Sequence, residues 1–121
     1  MNRTVFTLHP NGTITETHCS TKDELKTLQE AVGGYIENVN RSILTIHNAD
    51  FKRALRSVKQ IYCCEVGADL PENPHFELTH EHLRPDAPRT LTLELYNQYC
   101  YKTRAPLKGA IAFSKKRVVP Q

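Results

Sequence analysis

Thr4-Val5-Phe6-Thr7-Leu8 and Thr13-Ile14-Thr15-Glu16-Thr17, joined by His9-Pro10-Asn11-Gly12, form the stretch that decides the fold class. Both flanks alternate apolar and polar residues, the period of a half-buried strand, with Phe6, Leu8 and Ile14 available for one buried face. Pro10 forbids a continuing ladder and Asn11-Gly12 tolerate positive φ, so the chain must reverse between them. The reading is a β-hairpin. Directly after it, Ser20-Thr21-Lys22-Asp23-Glu24 has the spacing of a helix start, in which Thr21 accepts from the Glu24 amide and the Glu24 carboxylate reaches back. The acidic residues suit the positive end of the helix dipole. Leu25, Leu28 and Val32 fall at i, i+3 and i+7 on one stripe, and Gly33-Gly34 end the helix. A hairpin running into an amphipathic helix over residues 22–32 opens an α+β fold.

Outward from there, residues 35–39 and 42–47 are β-rich runs that Asn40-Arg41 could join as a tight hairpin. Asn48 or Asp50 caps a second helix over 50–59, with Phe51, Ala54, Leu55 and Val58 on one arc and Lys52, Arg56 and Lys59 on another. Residues 61–66 read as a strand. Residues 75–89 are polar and rich in His and Pro, which predicts a surface loop or insertion. Leu91, Leu93 and Leu95 alternate with Thr90, Thr92 and Glu94, which predicts a strand. A last strand covers 109–113, and 115–121 is a basic tail. The sum is a single α+β domain over 1–121: a mainly antiparallel sheet of five to seven strands with two helices on one face. The order of elements argues against a doubly wound parallel sheet.

Composition narrows function only a little. The 121 residues are 39% hydrophobic and 24% charged, ordinary for a globular domain. Sixteen Lys and Arg against thirteen Asp and Glu give a net charge of +3, which permits a phosphate-bearing partner without demanding one. The first ten residues lack the apolar core of a secretory signal, and no apolar run approaches the ~18 residues of a membrane span. Cys19, Cys63, Cys64 and Cys100 have no framework spacing and read as reduced thiols. The expectation is an intracellular protein, cytoplasmic or nuclear, with no membrane partner.

Leu28-Gln29-Glu30-Ala31-Val32-Gly33-Gly34-Tyr35-Ile36-Glu37 resembles the signature of a small uncharacterised family of bacteriophages and large DNA viruses. The strand and loop Ile61-Tyr62-Cys63-Cys64-Glu65-Val66-Gly67-Ala68-Asp69-Leu70-Pro71-Glu72-Asn73-Pro74 and the closing Gly109-Ala110-Ile111-Ala112-Phe113 are similar to its later segments. Cys64 stands where the family usually carries an amide, and Glu72 where it carries a small residue or proline. The resemblance covers about half of the chain. It implies a virus-type accessory protein and offers no catalytic residue to carry over.

Candidate sites follow from residue chemistry. Gly33, Gly34, Tyr35, Glu37 and Asn73 mark a turn and loop that could hold a partner or a small nucleotide. Lys52, Arg56 and Lys59 form a basic stripe, to which Arg84, Arg89, Lys102, Arg104 and residues 115–117 could add, with Tyr96, Tyr99 and Tyr101 as stacking platforms for bases. His75, His80 and His82 are candidate metal ligands, since His-x-His on a strand projects both rings to one side. No metal motif accompanies them, and no cofactor is expected. Gly33-Gly34 follows a helix, the reverse of a phosphate-cradling loop. The expected function is therefore non-catalytic binding of a host or viral protein, in host takeover or counter-defence. A nucleotide sponge and a nucleic-acid binder are the alternatives, and homo-oligomerisation is left open.

Overall fold

Asn11 makes the first reversal work: its Oδ1 accepts from the Thr13 amide at 3.0 Å and from the Thr13 hydroxyl at 2.7 Å, while Gly12 N donates to His9 O. The flanking strands β1 (Asn2–Leu8) and β2 (Ile14–Ser20) pair from Asn2–Ser20 through to Leu8–Ile14, as expected of the hairpin. These are the first elements of a computed structural model that describes residues 2–116. The residues 117–121 expected as a basic tail lie outside the described residues, and Lys115 and Lys116 end a strand instead. β1 is buried on both faces, through Val5 and Thr7 on one and Thr4 and Leu8 on the other. β2 is the outermost strand, so Ile14 keeps 37% of its surface exposed rather than joining a buried face.

Ser20 Oγ accepts from the Asp23 amide and opens a single 3₁₀ turn that runs into α1 (Glu24–Val32). The Glu24 carboxylate turns away from the cap to Arg3 and Ser114. Gly33 ends the helix at φ +85°, with the amides of Gly33 and Gly34 both donating to Gln29 O. Leu28 and Val32 are buried, but Leu25, in the first turn, belongs to neither core cluster and stays 57% exposed.

β3 (Ile36–Asn38) does not form the expected hairpin with the run that follows. Asn40 Oδ1 accepts from the Ser42 amide and hydroxyl, which bends the chain into a 3₁₀ turn over Arg41–Ile43. That turn delivers β4 (Leu44–Ile46) to a different sheet. Asn48 caps α2 (Ala49–Ala54) by accepting from the amides of Asp50 and Phe51. The helix is shorter than the sequence suggests, because the chain leaves it through Ser57 at φ +69°. β5 (Tyr62–Cys64) follows.

Two expectations fail in the next segment. Most of residues 75–89 are not a loop but part of β6 (Glu72–Leu83), and residues 91–95 are not a strand but the start of α3 (Leu93–Tyr99), capped by Thr92 Oγ1. β7 (Cys100–Lys108) returns along β6, with an irregularity between Asn73 and Glu77, and β8 (Ile111–Lys116) completes the chain. Beyond Glu77 and Pro106, β6 and β7 run on as a largely exposed ribbon topped by α3, here called the arm.

Among the described residues, eight strands form two antiparallel sheets, in the orders β2-β1-β8-β5-β3 and β4-β6-β7, with three α-helices. The α+β class is as expected. The helices do not share a face, however, because successive residues of β8 point to opposite sides. Ala112 joins Val5, Cys64 and the α1 residues Leu28 and Val32. Ile111 and Phe113 join Leu8, Phe76, Leu107 and the α2 residue Phe51. The five-stranded sheet is thus covered by α1 on one side and by α2 with the smaller sheet on the other. Each fully buried Phe contributes about 2–3 kcal/mol of burial.

One polar residue sits inside this core. Asn73 is fully buried, its Nδ2 donating to Leu8 O at 3.3 Å and Gly109 O at 3.0 Å, its Oδ1 accepting from the His75 amide at 3.3 Å. It ties the end of β1, the start of β6 and the turn before β8 together. That turn requires glycine, since Gly109 has φ +76° and a Cβ there would stand 2.7 Å from Leu70 Cδ1.

Candidate functional site

The turn that leaves α2 is where cations gather. Arg41 Nη1 donates to Leu55 O at 3.0 Å and to Val58 O, and Lys115 Nζ donates to Ala54 O at 3.2 Å. The Lys115 ammonium also lies 5.6 Å from the Phe113 ring centroid and 5.9 Å from that of Phe6. These two side chains add donors to carbonyls at and just after the helix end, where Leu55 O also accepts from the Val58 amide, and oppose their negative partial charge. Clefts open on either side of the turn they hold. One, of about 400 Å³, is lined by Arg41, Ala49, Lys52, Arg53 and Arg56. The other, of about 440 Å³, is lined by Arg3, Glu24, residues 57–60, Tyr62, Ser114, Lys115 and Lys116.

The linings of these two clefts, with Asp50 beside them, hold eight cations, Arg3, Arg41, Lys52, Arg53, Arg56, Lys59, Lys115 and Lys116, against the carboxylates Glu24 and Asp50, and are called the α2 face below. The other seven cations of the described residues stand among eleven carboxylates. A modest overall charge therefore conceals a face near +6 and a remainder near −4. Both carboxylates of the face are occupied: Asp50 by Arg53 in a pair exposed on both sides, and Glu24 by Arg3 Nε at 3.0 Å and the Ser114 hydroxyl at 3.1 Å. The Arg3 contact is ionic rather than a directed hydrogen bond, since the buried Nε has no aligned acceptor among the described residues. Lys52, Arg56, Lys59 and Lys116 have no carboxylate partner there.

The sequence-predicted residues divide accordingly. Lys52 and Arg56 line one cleft and Lys59 the other, where pairing of β1 with β8 brings Arg3 directly opposite Lys116. No local signal could have placed Arg3 or Arg41 in these clefts, because only tertiary pairing does so. Gly33, Gly34 and Tyr35 line a shallow surface with Lys26, Gln29 and Glu30, and Glu37 lies exposed on β3. Asn73 cannot meet a ligand: it is buried and its polar atoms are engaged. Lys102, Arg104 and the three tyrosines belong to the arm, so they do not extend the α2 stripe. Tyr96 donates to Glu81 there, and that hydrogen bond, with the nearby Cys100, pushes its pKa up to about 12. Tyr101 stacks on His82 at 5.2 Å.

The histidines do not converge. His75 bonds to Pro10 O and packs edge-on against Phe51, whereas His80 and His82 share a face of the arm with ring centroids 6.4 Å apart. Among the described residues no three His, Cys, Asp or Glu side chains gather as metal ligands. The adjacent cysteines face opposite sides of β5, Cys63 toward the α2 cluster and Cys64 toward the α1 cluster. Burial, then the nearby Glu37 and Cys64, push the Cys63 thiol from 9.0 up to about 11, the opposite of what a nucleophile needs. Since the fold favours the neutral thiol, its contribution to stability is complete below pH ~9 and is lost as pH rises toward ~11. Chemical denaturation from pH 8 to 11 should show this loss, and Cys63→Ser should flatten it. An unchanged profile in the variant would contradict the assignment.

No family model, curated protein or solved structure matches the chain.

Proposed function

We propose that the protein is a non-catalytic accessory protein of the virus type that the signature around Gly33-Gly34 resembles, and that it binds nucleic acid of host or virus through the α2 face. One observation carries this reading: cations concentrate on that face while the rest of the surface is net acidic. Such a separation is costly in self-repulsion and favours a polyanion laid across one side only. Both clefts are open to solvent, which suits a backbone tracked along a surface better than a small nucleotide sealed in a pocket. None of the described helices is long and apolar enough to cross a membrane, in keeping with action inside the host cell. A protein partner is the second reading, favoured by the arm, where Leu83, Tyr101 and the 78%-exposed Leu93 stand clear of the core.

The test is a salt titration. Lys52, Arg53, Arg56, Lys59 and Lys116 reach solvent, so about five phosphates are neutralised, and log K against log salt for duplex DNA should slope between about −4 and −5. Fluorescence anisotropy between 50 and 200 mM salt, as roughly chosen limits, reads it. A slope near zero, or no binding at the lower limit, rules the reading out.

A further inference from the structure

We infer that the cleft between Arg3, Lys116 and the turn after α2 is a subsite for a terminal phosphate, the monoester at the end of a nucleic-acid strand. This rests on the nucleic-acid reading above and deepens it. The two clefts differ in their chemistry. The α2 cleft offers four cations and an alanine, enough for the single charge of each backbone diester. The other adds uncommitted hydrogen-bond donors, the hydroxyl of Ser57 and the amide of Gln60, since the hydroxyls of Ser114 and Tyr62 already donate to Glu24 and Gln60. A monoester has close to two charges at neutral pH and three terminal oxygens to satisfy, so it gains from convergent donors where a diester does not.

The sheet explains why a concavity exists there. β8 pairs with β1 along its whole length but with β5 only at Ala112–Tyr62. Beyond that point the flank of β8 faces residues 57–60 across a gap. Arg3 and Lys116, paired across the strands, stand on the same side as Ser114 two residues before. The carboxylate in the cleft, Glu24, is engaged by Arg3 and Ser114. Tyr62 donates its hydroxyl to Gln60 Oε1, which leaves the Gln60 amide hydrogens for a ligand. Ser57 holds φ +69°, a left-handed backbone that serine adopts at a cost, on the wall of this cleft. A strained residue that sets a free hydroxyl beside the Gln60 amide and the cations of the cleft is the pattern of a preorganised binding site.

Anisotropy on the full chain with one oligonucleotide, carrying a phosphate or a hydroxyl at its 5′ end and separately at its 3′ end, tests the assignment. One phosphorylated end should bind roughly tenfold tighter. Inorganic phosphate in excess should erase the preference. Ser57→Gly removes the hydroxyl and relaxes the backbone, so its melting temperature should hold or rise while most of the preference disappears. Lys52→Ala should weaken all forms alike. Equal affinity for phosphorylated and unphosphorylated ends, with salt-dependent binding intact, overturns the subsite and leaves the wider reading standing; loss of binding to every form overturns both. A preference that persists in Ser57→Gly also overturns the subsite as drawn.

Discussion

Asn73→Leu is expected to destabilise the fold by about 3–5 kcal/mol while nearly conserving volume, which lowers the melting temperature by roughly 10 °C or more. The side chain is wholly enclosed, and its three hydrogen bonds serve backbone groups of Leu8, Gly109 and His75. Leucine leaves those groups without this partner in a water-free interior, at about 1–3 kcal/mol for each one left unsatisfied. Against a total stability of about 5–15 kcal/mol this is a large fraction. Asn73→Asp keeps shape but turns a donor into an acceptor facing two carbonyl oxygens. The folded carboxyl is then held protonated, so its defect should ease as pH falls from 7 toward ~4 and level off below that. Urea denaturation of both variants at pH 7 and pH 4 makes the measurement. A cost under about 1 kcal/mol for Asn73→Leu would show that Asn73 does not hold the core together.

Reversing Lys52, Arg56 and Lys59 together to glutamate should weaken nucleic-acid binding roughly a thousandfold near 0.1 M salt. Each lost phosphate contact removes nearly one unit of salt slope, and at that salt about one decade of affinity. The reversal also leaves five cations against five carboxylates, which abolishes the electrostatic face. These side chains are exposed, so stability should shift by no more than about 0.5 kcal/mol. The paired control is Lys102→Glu with Arg104→Glu, on the arm and outside the face. It should leave affinity within about threefold. If both variants lose binding equally, the protein responds to net charge alone and the α2 face has no special standing.

How far the sequence could be read depended on the range of the forces that fix each element. The hairpin around Asn11-Gly12 and the helix ended by Gly33 are local: their caps and turns lie within a few residues of each other. β6 was unreadable because its outer half has both faces in solvent, so no apolar alternation marks it. Leu91, Leu93 and Leu95 alternate like a strand, yet Thr92 caps a helix whose half-buried residues are Leu95, Tyr96 and Tyr99. The capping threonine, with Glu94 in the first turn, was the signal to weigh against the alternation. The basic stripe on α2 was legible from its period. Its extension toward residues 115–117 was also expected, but Arg3 and Arg41 were not, because Arg3 arrives only where strands more than a hundred residues apart pair and Arg41 only where the turn before β4 packs on the end of α2.

That meeting also governs how the protein is made. The strand at the middle of the larger sheet is the last described element to leave the ribosome, and until it emerges the N-terminal hairpin has no neighbour on its inner edge. Assembly of this sheet therefore awaits the synthesis of β8 and proceeds by distant encounters, which slow folding and leave a nascent edge for chaperones to shield.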